Sequence, residues 1–169
     1  AVDAAGADAG GCGPLPLPTG GQGSSGGGVT LESLTLTTKA NIDGQLQQAA
    51  LKGGVYKPDG CSAAKPCPLV VVVPGHDQDA WPTWGVFGYH LAKNTGAIVV
   101  VFNLPGRGKG AFQSEGKDDI GGDWAVSAVK DVMHLKSSSA EVDKTHMGYV
   151  TVGTGLIPVA AALKTYGEG

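Results

Sequence analysis

Residues 147–163, MGYVTVGTGLIPVAAAL, read as an apolar strand, a sharp glycine turn and an apolar helix. A hydroxyl at the centre of such a turn is lifted clear of the sheet and suits nucleophilic attack on an acyl carbon. The centre here is Gly153, which has no side chain to attack with, between Thr151 on one side and Thr154 and Gly155 on the other. A threonine nucleophile needs a shift of frame. Thr151 then falls inside the strand, and Thr154 meets Leu156 where a small residue is required. The imidazole that would activate a nucleophile is also out of place: His76, His90, His134 and His146 all precede Gly153, and Glu168 is the one carboxylate after it.

Other stretches carry possible chemistry. In PGHDQD (74–79), after an apolar run, backbone N–H groups near His76 and Asp77 occupy a place where they can face a developing oxyanion, or they form a plain polar turn. His76, Asp77 and Asp79 are three metal-ligand types in one loop, but such trios are common in turns and no metal is expected. NLPGRGKGA and VTVGTGLIP echo dinucleotide-binding glycine loops. The first is followed by FQSEGKDD, which does not open a helix, and the second has Pro158 at the third glycine position. No cofactor is implied. Cys61 and Cys67, in DGCSAAKPCP, form a disulfide candidate in an oxidising compartment, the alternative being two unpaired thiols. Cys12 lacks the preceding apolar segment of a lipidation signal and reads as a free thiol.

The chain has 169 residues, 41% of them hydrophobic, and a formal net charge of -3. That suffices for one domain with a core. The acidic balance argues against nucleic acid, and no apolar run reaches the roughly 20 residues of a transmembrane helix. Residues 1–28 are almost entirely Gly, Ala, Pro, Ser and Asp and read as a flexible tether. A low-complexity tether ahead of a domain suggests a secreted, periplasmic or envelope-anchored bacterial protein.

Residues 29–40 and 45–58 read as an antiparallel pair of strands, the second interrupted at Gly53-Gly54 by a bulge or turn. The runs 68–75 and 97–106 read as strands buried on both faces. Between them, 81–96 reads as a helix with Trp84, Phe87 and Leu91 on one stripe, and Trp81 and Trp84 as core residues rather than pocket lining. Residues 123–138 read as an amphipathic helix with Ala125, Val126, Val129, Val132 and Met133 inward, and Asp118, Asp119 and Asp123 at its N-terminus. Strand and helix alternate, so the fold class is α/β: a mostly parallel sheet with flanking helices and right-handed crossovers.

PLVVVVPGHDQDAW, VVVFNLPGRGKG, GKDDIGGDWAVSAVKDVMHL and VDKTHMGYVTVGTGLIPVAAA follow one another in the order and spacing of the first half of the α/β-hydrolase fold. The chain resembles the dienelactone-hydrolase and secreted acyl-peptidase or esterase type over residues 29–166. The resemblance places Thr151 at the first Gly of G-x-S-x-G, Gly153 at the serine and Gly155 at the last Gly. It also places His76 and Asp77 in the oxyanion loop, and puts the catalytic acid and histidine after the nucleophile in chain order. On that footing the sequence reads as truncated after the fifth strand and its helix, unable to build the triad alone. The expected function is an exported α/β-hydrolase-like domain that serves binding or assembly. The alternatives are one part of a serine-hydrolase-like esterase or peptidase completed by a missing or separate C-terminal segment, and a nucleotide-binding α/β protein. The fifth strand is expected to be a long, flat, apolar edge, so another protein chain or a second copy is expected to pair along 147–152.

Overall fold

The computed structural model describes residues 24–26, 28–76, 78–81 and 84–167. Six strands form one mixed sheet: β1 (Ser24–Gly26), β2 (Val29–Ile42), β3 (Gln45–Pro58), β4 (Cys67–Val73), β5 (Ile98–Phe102) and β6 (Val142–Thr151). Their order is β1-β2-β3-β5-β4-β6. β2 and β3 are a long antiparallel hairpin turning at Asp43-Gly44, where both residues have positive φ (52° and 78°), the conformation that a two-residue Asp-Gly turn supplies. β3 pairs antiparallel with β5, while β4 runs parallel to both β5 and β6. β1 lies within the stretch read as a tether and pairs with β2; most of that stretch, with Cys12, lies outside the described residues.

Three helices cover the sheet: α1 (Gly85–Thr95), α2 (Asp123–Ser137) and α3 (Leu156–Tyr166). Alternation along β4 sorts the core into two layers. Leu69, Val71 and Val73 face Ala125, Val129 and Val132 of α2 and Val159 and Ala162 of α3. Val72, with Val99 and Val101 of β5, faces Trp81 and Ala92 on the α1 side. At 25 cal/mol per Å², each such buried Val or Leu contributes about 1.5–3 kcal/mol before its ordering cost.

Gly53 and Gly54 do not interrupt β3, which pairs with β2 through both residues without a bulge. The glycines are there for space. A Cβ on Gly53 would sit 2.7 Å from Phe102 Cβ, and one on Gly54 would sit 2.6 Å from the Trp81 ring. α1 likewise buries small residues, Gly85, Gly88 and Ala92, rather than the expected stripe of Trp84, Phe87 and Leu91. A Cβ on Gly88 would run into Val101 and the Tyr56 ring. Trp84 and Leu91 pack at the margin of this layer, Phe87 stays exposed against Trp84, and Trp81 is fully in the core. In α2 the expected Ala125, Val129 and Val132 are buried, and Trp124 and Ala128 join them.

The loop before β4 is closed by a Cys61–Cys67 disulfide with Cα atoms 5.5 Å apart. Both cysteines are buried in the α2-side core. For so short a loop, chain entropy assigns the bridge about 2 kcal/mol, so reduction is expected to lower unfolding free energy by that amount in a denaturant titration with and without reductant.

β6 is not uniformly flat. Its register with β4 slips between the Cys67/Val142 and Leu69/Met147 pairs, so 143–146 bow out of the ladder. The regular part of the edge is Met147–Thr151, shorter than the sequence suggested, and the polar bulge ahead of it is a common way to blunt a sheet edge.

Candidate functional site

β4 leads through α1 to β5 on one side of it, and β5 leads through α2 to β6 on the other side. The chain therefore reverses direction across the sheet at β4, and the crevice at the carboxyl ends of β4 and β6 is where open α/β sheets bind ligands. The loops that meet there carry His76 after β4, Arg107 after β5, Asp118 before α2 and Gly153–Gly155 after β6.

The turn after β6 has the expected form. Val152 is extended, Gly153 has φ 56°, and a short 3-10 turn, Gly153–Gly155, leads directly into α3. Gly155 is required by contact: a Cβ there would overlap the carbonyl oxygens of Val73 and Pro74 at the end of β4. Gly153 is different. Nothing lies within 4 Å of where its Cβ would be, so a side chain at this position would project into open space from a left-handed backbone. Thr151 ends β6, half-buried.

Thr154, the residue after the turn's centre, receives the His76 backbone N–H on its Oγ1 at 2.6 Å. The turn's own hydroxyl thus takes the N–H that the oxyanion-loop reading assigned to a substrate oxygen. Asp77, the other residue of that reading, lies outside the described residues.

The His76 ring belongs to a network that spacing alone did not reveal. Arg107, nearly buried, donates from Nη1 to the Gly75 carbonyl at 2.8 Å and from Nε to Asp118 Oδ2 at 3.1 Å. Its Nη2 lies 2.7 Å from His76 Nδ1, which is also 3.0 Å from Asp118 Oδ2. Nδ1 therefore faces both a donor, Arg107 Nη2, and an acceptor, the Asp118 carboxylate: it accepts from the first when the ring proton is on Nε2 and donates to the second when it carries the proton itself. Asp79 accepts the Gly108 N–H on Oδ1, and among the described residues, which do not include Asp77, no group of metal-ligand side chains occurs.

Asn103 and Asp119 hold these loops in place. Asn103, fully buried, accepts the Trp81 N–H and donates to the carbonyls of Trp81 and Phe112, tying the β4 and β5 loops together. Asp119 accepts the N–H groups of Trp124 and Ala125 and so caps α2 from outside. Asp118 is diverted to Arg107, while Asp119 caps the helix and Asp123 lies in its first turn, as expected of the acidic cluster. The loop after β5 contains the three-residue 3-10 turn Gly110–Phe112 and starts no longer helix, so it offers no helix N-terminus to a pyrophosphate.

A second hydroxyl, imidazole and carboxylate meet at the opposite end of β6. Thr145 donates through both its hydroxyl (2.7 Å) and its backbone N–H (2.9 Å) to Asp143 Oδ1, and His146 Nδ1 lies 2.8 Å from Asp143 Oδ2. The hydroxyl donates to the carboxylate, and its oxygen also lies 2.9 Å from His146 Nδ1, so the three side chains close on one another in a polar turn. These bonds, Thr145's first and then the His146 contact, hold the Asp143 carboxyl down at about 2, against 3.8 for an unperturbed group. A carboxyl with a depressed pKa favours the folded turn above its unfolded value and loses that advantage as pH falls through the folded one. The turn is therefore expected to be intact above pH 3.8 and to open as pH approaches 2, read from the Thr145 and His146 amide shifts in an NMR titration.

No protein-family model matches the chain, and no curated protein matches its sequence. Solved structures do match in fold. The α/β hydrolase GrgF from Penicillium sp. sh18 superposes with a TM-score of 0.57 at 16% identity, covering 78% of this chain and 40% of that one. A dienelactone hydrolase-like promiscuous phosphotriesterase from metagenomic libraries gives 0.57 at 17%, covering 82% and 55%. A cold-adapted esterase from an Arctic intertidal metagenomic library gives 0.55 at 13%, covering 89% and 62%. The chain thus spans 40–62% of the length of these structures. Elbow-like turn, switch-point crevice and sheet order agree with these likenesses: this chain carries the N-terminal half of an α/β-hydrolase-like fold.

Proposed function

We propose that this is an exported α/β-hydrolase-like domain that works by binding or assembly and supplies no nucleophile of its own. The observation that carries the reading is Gly153: the position that would present an attacking oxygen is backbone only, in a turn otherwise built like an elbow. Two further contacts support it. Thr154 accepts the His76 N–H, and the His76 ring is held by Arg107 and Asp118, so the nearby hydroxyl and imidazole both help to fix the loops. The edge of β6 is the surface through which assembly proceeds, since β6 pairs with β4 alone among the described residues. Export is supported by the buried disulfide, which suits an oxidising compartment such as a bacterial periplasm or cell exterior. Among the described residues no helix is long and apolar enough to cross a membrane.

The test is turnover. Short-chain nitrophenyl esters are expected to hydrolyse no faster with the protein than in buffer, and Thr154→Ala is expected to change nothing. Gly153→Ser, though its hydroxyl has room, is expected to remain inactive unless an acid and a histidine are placed to serve it. Turnover that Thr154→Ala abolishes would defeat the reading. A second reading, one portion of a serine-hydrolase-like esterase or peptidase completed by another segment, is favoured by the greater length of the structures it matches. It predicts that Gly153→Ser gains activity once such a segment is added.

A further inference from the structure

We infer that His76 is a proton-operated latch: its neutral ring accepts from Arg107, and its protonated ring lets go of Arg107 and binds Asp118. This goes beyond the proposed function and stands on contacts among the described loops alone. It starts from a conflict at one atom. His76 Nδ1 lies 2.7 Å from Arg107 Nη2 and 3.0 Å from Asp118 Oδ2. Nδ1 carries either a lone pair or a proton, so it bonds one of these neighbours at a time and is repelled by the other. Two arrangements of nearly equal reach compete, and the proton decides between them. Histidine is the side chain whose charge ordinarily changes between about pH 5 and 8.

Both of the competing partners are held still. Arg107 is nearly buried and is anchored by the Gly75 carbonyl and by Asp118. Asp118 is anchored in turn, receiving Arg107 Nε on Oδ2 and the Ile120 N–H on Oδ1. The main chain of His76 is pinned by its N–H to Thr154 Oγ1. The imidazole is the part left to move, with its side chain 47% exposed. Two fixed partners and one turning ring make the exchange discrete rather than gradual.

Charge gives the exchange its direction. Arg107 faces the ring from the loop after β5, and Asp118 faces it from the loop before α2. On its own loop Asp79 is occupied by the Gly108 N–H, and Asp77 lies outside the described residues. Asp119 is occupied at the start of α2. The turn after β6, and α3 as far as Leu163, contain no ionisable side chain. With a neutral ring the guanidinium and the carboxylate cancel. Protonation sets a second cation against Arg107 Nη2, and the carboxylate on the other side of Nδ1 is the place where that charge is welcome. The ring turns to Asp118, and one Arg107 donor is released to the crevice.

The full 169-residue chain, labelled with nitrogen-15, is followed by NMR at about pH 8 and about pH 5 through the His76 ring nitrogens and the Arg107 guanidinium protons. At the higher pH the expected ring is the Nε2–H tautomer, its bare Nδ1 hydrogen-bonded to Arg107. At the lower pH both nitrogens carry protons, a slowly exchanging Nδ1 proton marks the bond to Asp118, and protection of the Arg107 Nη2 protons falls at least about 10-fold. Asp118→Ala is expected to lose the slow Nδ1 proton in acid, and Asp77→Asn is expected to keep both states. An Nδ1 proton already present at the higher pH overturns the latch. So does a ring still neutral at the lower pH, or Arg107 protection that does not change; these are read from the parent protein whether or not the variants fold. A slow Nδ1 proton that survives Asp118→Ala and is lost in Asp77→Asn overturns Asp118 as the partner.

Discussion

Replacing Gly155 with valine is expected to lower the unfolding free energy by about 3–5 kcal/mol, whereas Gly153→Ala in the same turn is expected to cost about 1 kcal/mol. The contrast follows from what each added carbon meets. At position 155 it overlaps the main-chain oxygens of Val73 and Pro74, and neither can withdraw, because Val73 is the end of β4, a strand paired on both sides, and lies fully buried. At position 153 it meets open space, and the cost is confined to the left-handed backbone at φ 56°. Chemical denaturation of the two variants gives the comparison directly. Equal losses would mean that the turn does not lie against β4 as described.

The second large effect is expected at Asn103. Asn103→Leu removes three hydrogen bonds made by one buried side chain and leaves the Trp81 N–H and two carbonyls without partners. At about 1 kcal/mol per bond, with the desolvation of orphaned groups added, the loss is about 3–4 kcal/mol. For a protein of this size that is a fall in Tm of about 6–16 °C, measured by differential scanning calorimetry. Asn103→Asp is expected to retain one part of this: its carboxylate still accepts from Trp81, but no amide remains to donate to Trp81 and Phe112. An Asn103→Leu protein as stable as the parent would show that the β4 and β5 loops are held by something else, and the arrangement of His76 and Arg107 would need another cause.

What the sequence made legible was set by local chemistry. Asp43-Gly44 marks a hairpin because only residues that tolerate positive φ turn in two steps, and the valine runs of β4 and β5 mark strands buried on both faces. The Cys61–Cys67 bridge was readable because its partners are close in sequence. The strand–turn–helix around Gly153 was readable because Gly155 must be small and the apolar period changes on either side of it.

Longer-range contacts were not legible. Gly53 and Gly54 looked like an interruption because a strand pattern does not reveal that Phe102 and Trp81 press on the backbone from elsewhere. The buried face of α1 was misassigned for a related reason: hydrophobicity ranks Trp84 and Phe87 above glycine, but the helix lies so close to Val101 and Tyr56 that only Gly88 fits. Arg107, His76 and Asp118 come from three loops brought together by the switch in strand order. The sole hint was an arginine between two glycines directly after a strand, which forces a tight loop and leaves a charge near the sheet's carboxyl edge. The uneven edge of β6 was not legible because the apolar pattern marks the strand only from Met147 onward, and nothing local shows that the polar residues 143–146 belong to it as a bulge.

The central claim is that the turn after β6 offers no attacking oxygen. Its most direct measurement is the intact mass of the protein after prolonged exposure to an alkyl fluorophosphonate, a reagent that adds irreversibly to an activated hydroxyl. The account predicts an unchanged mass. A single stoichiometric adduct, mapped by peptide sequencing to Thr154 or Thr151, would contradict it.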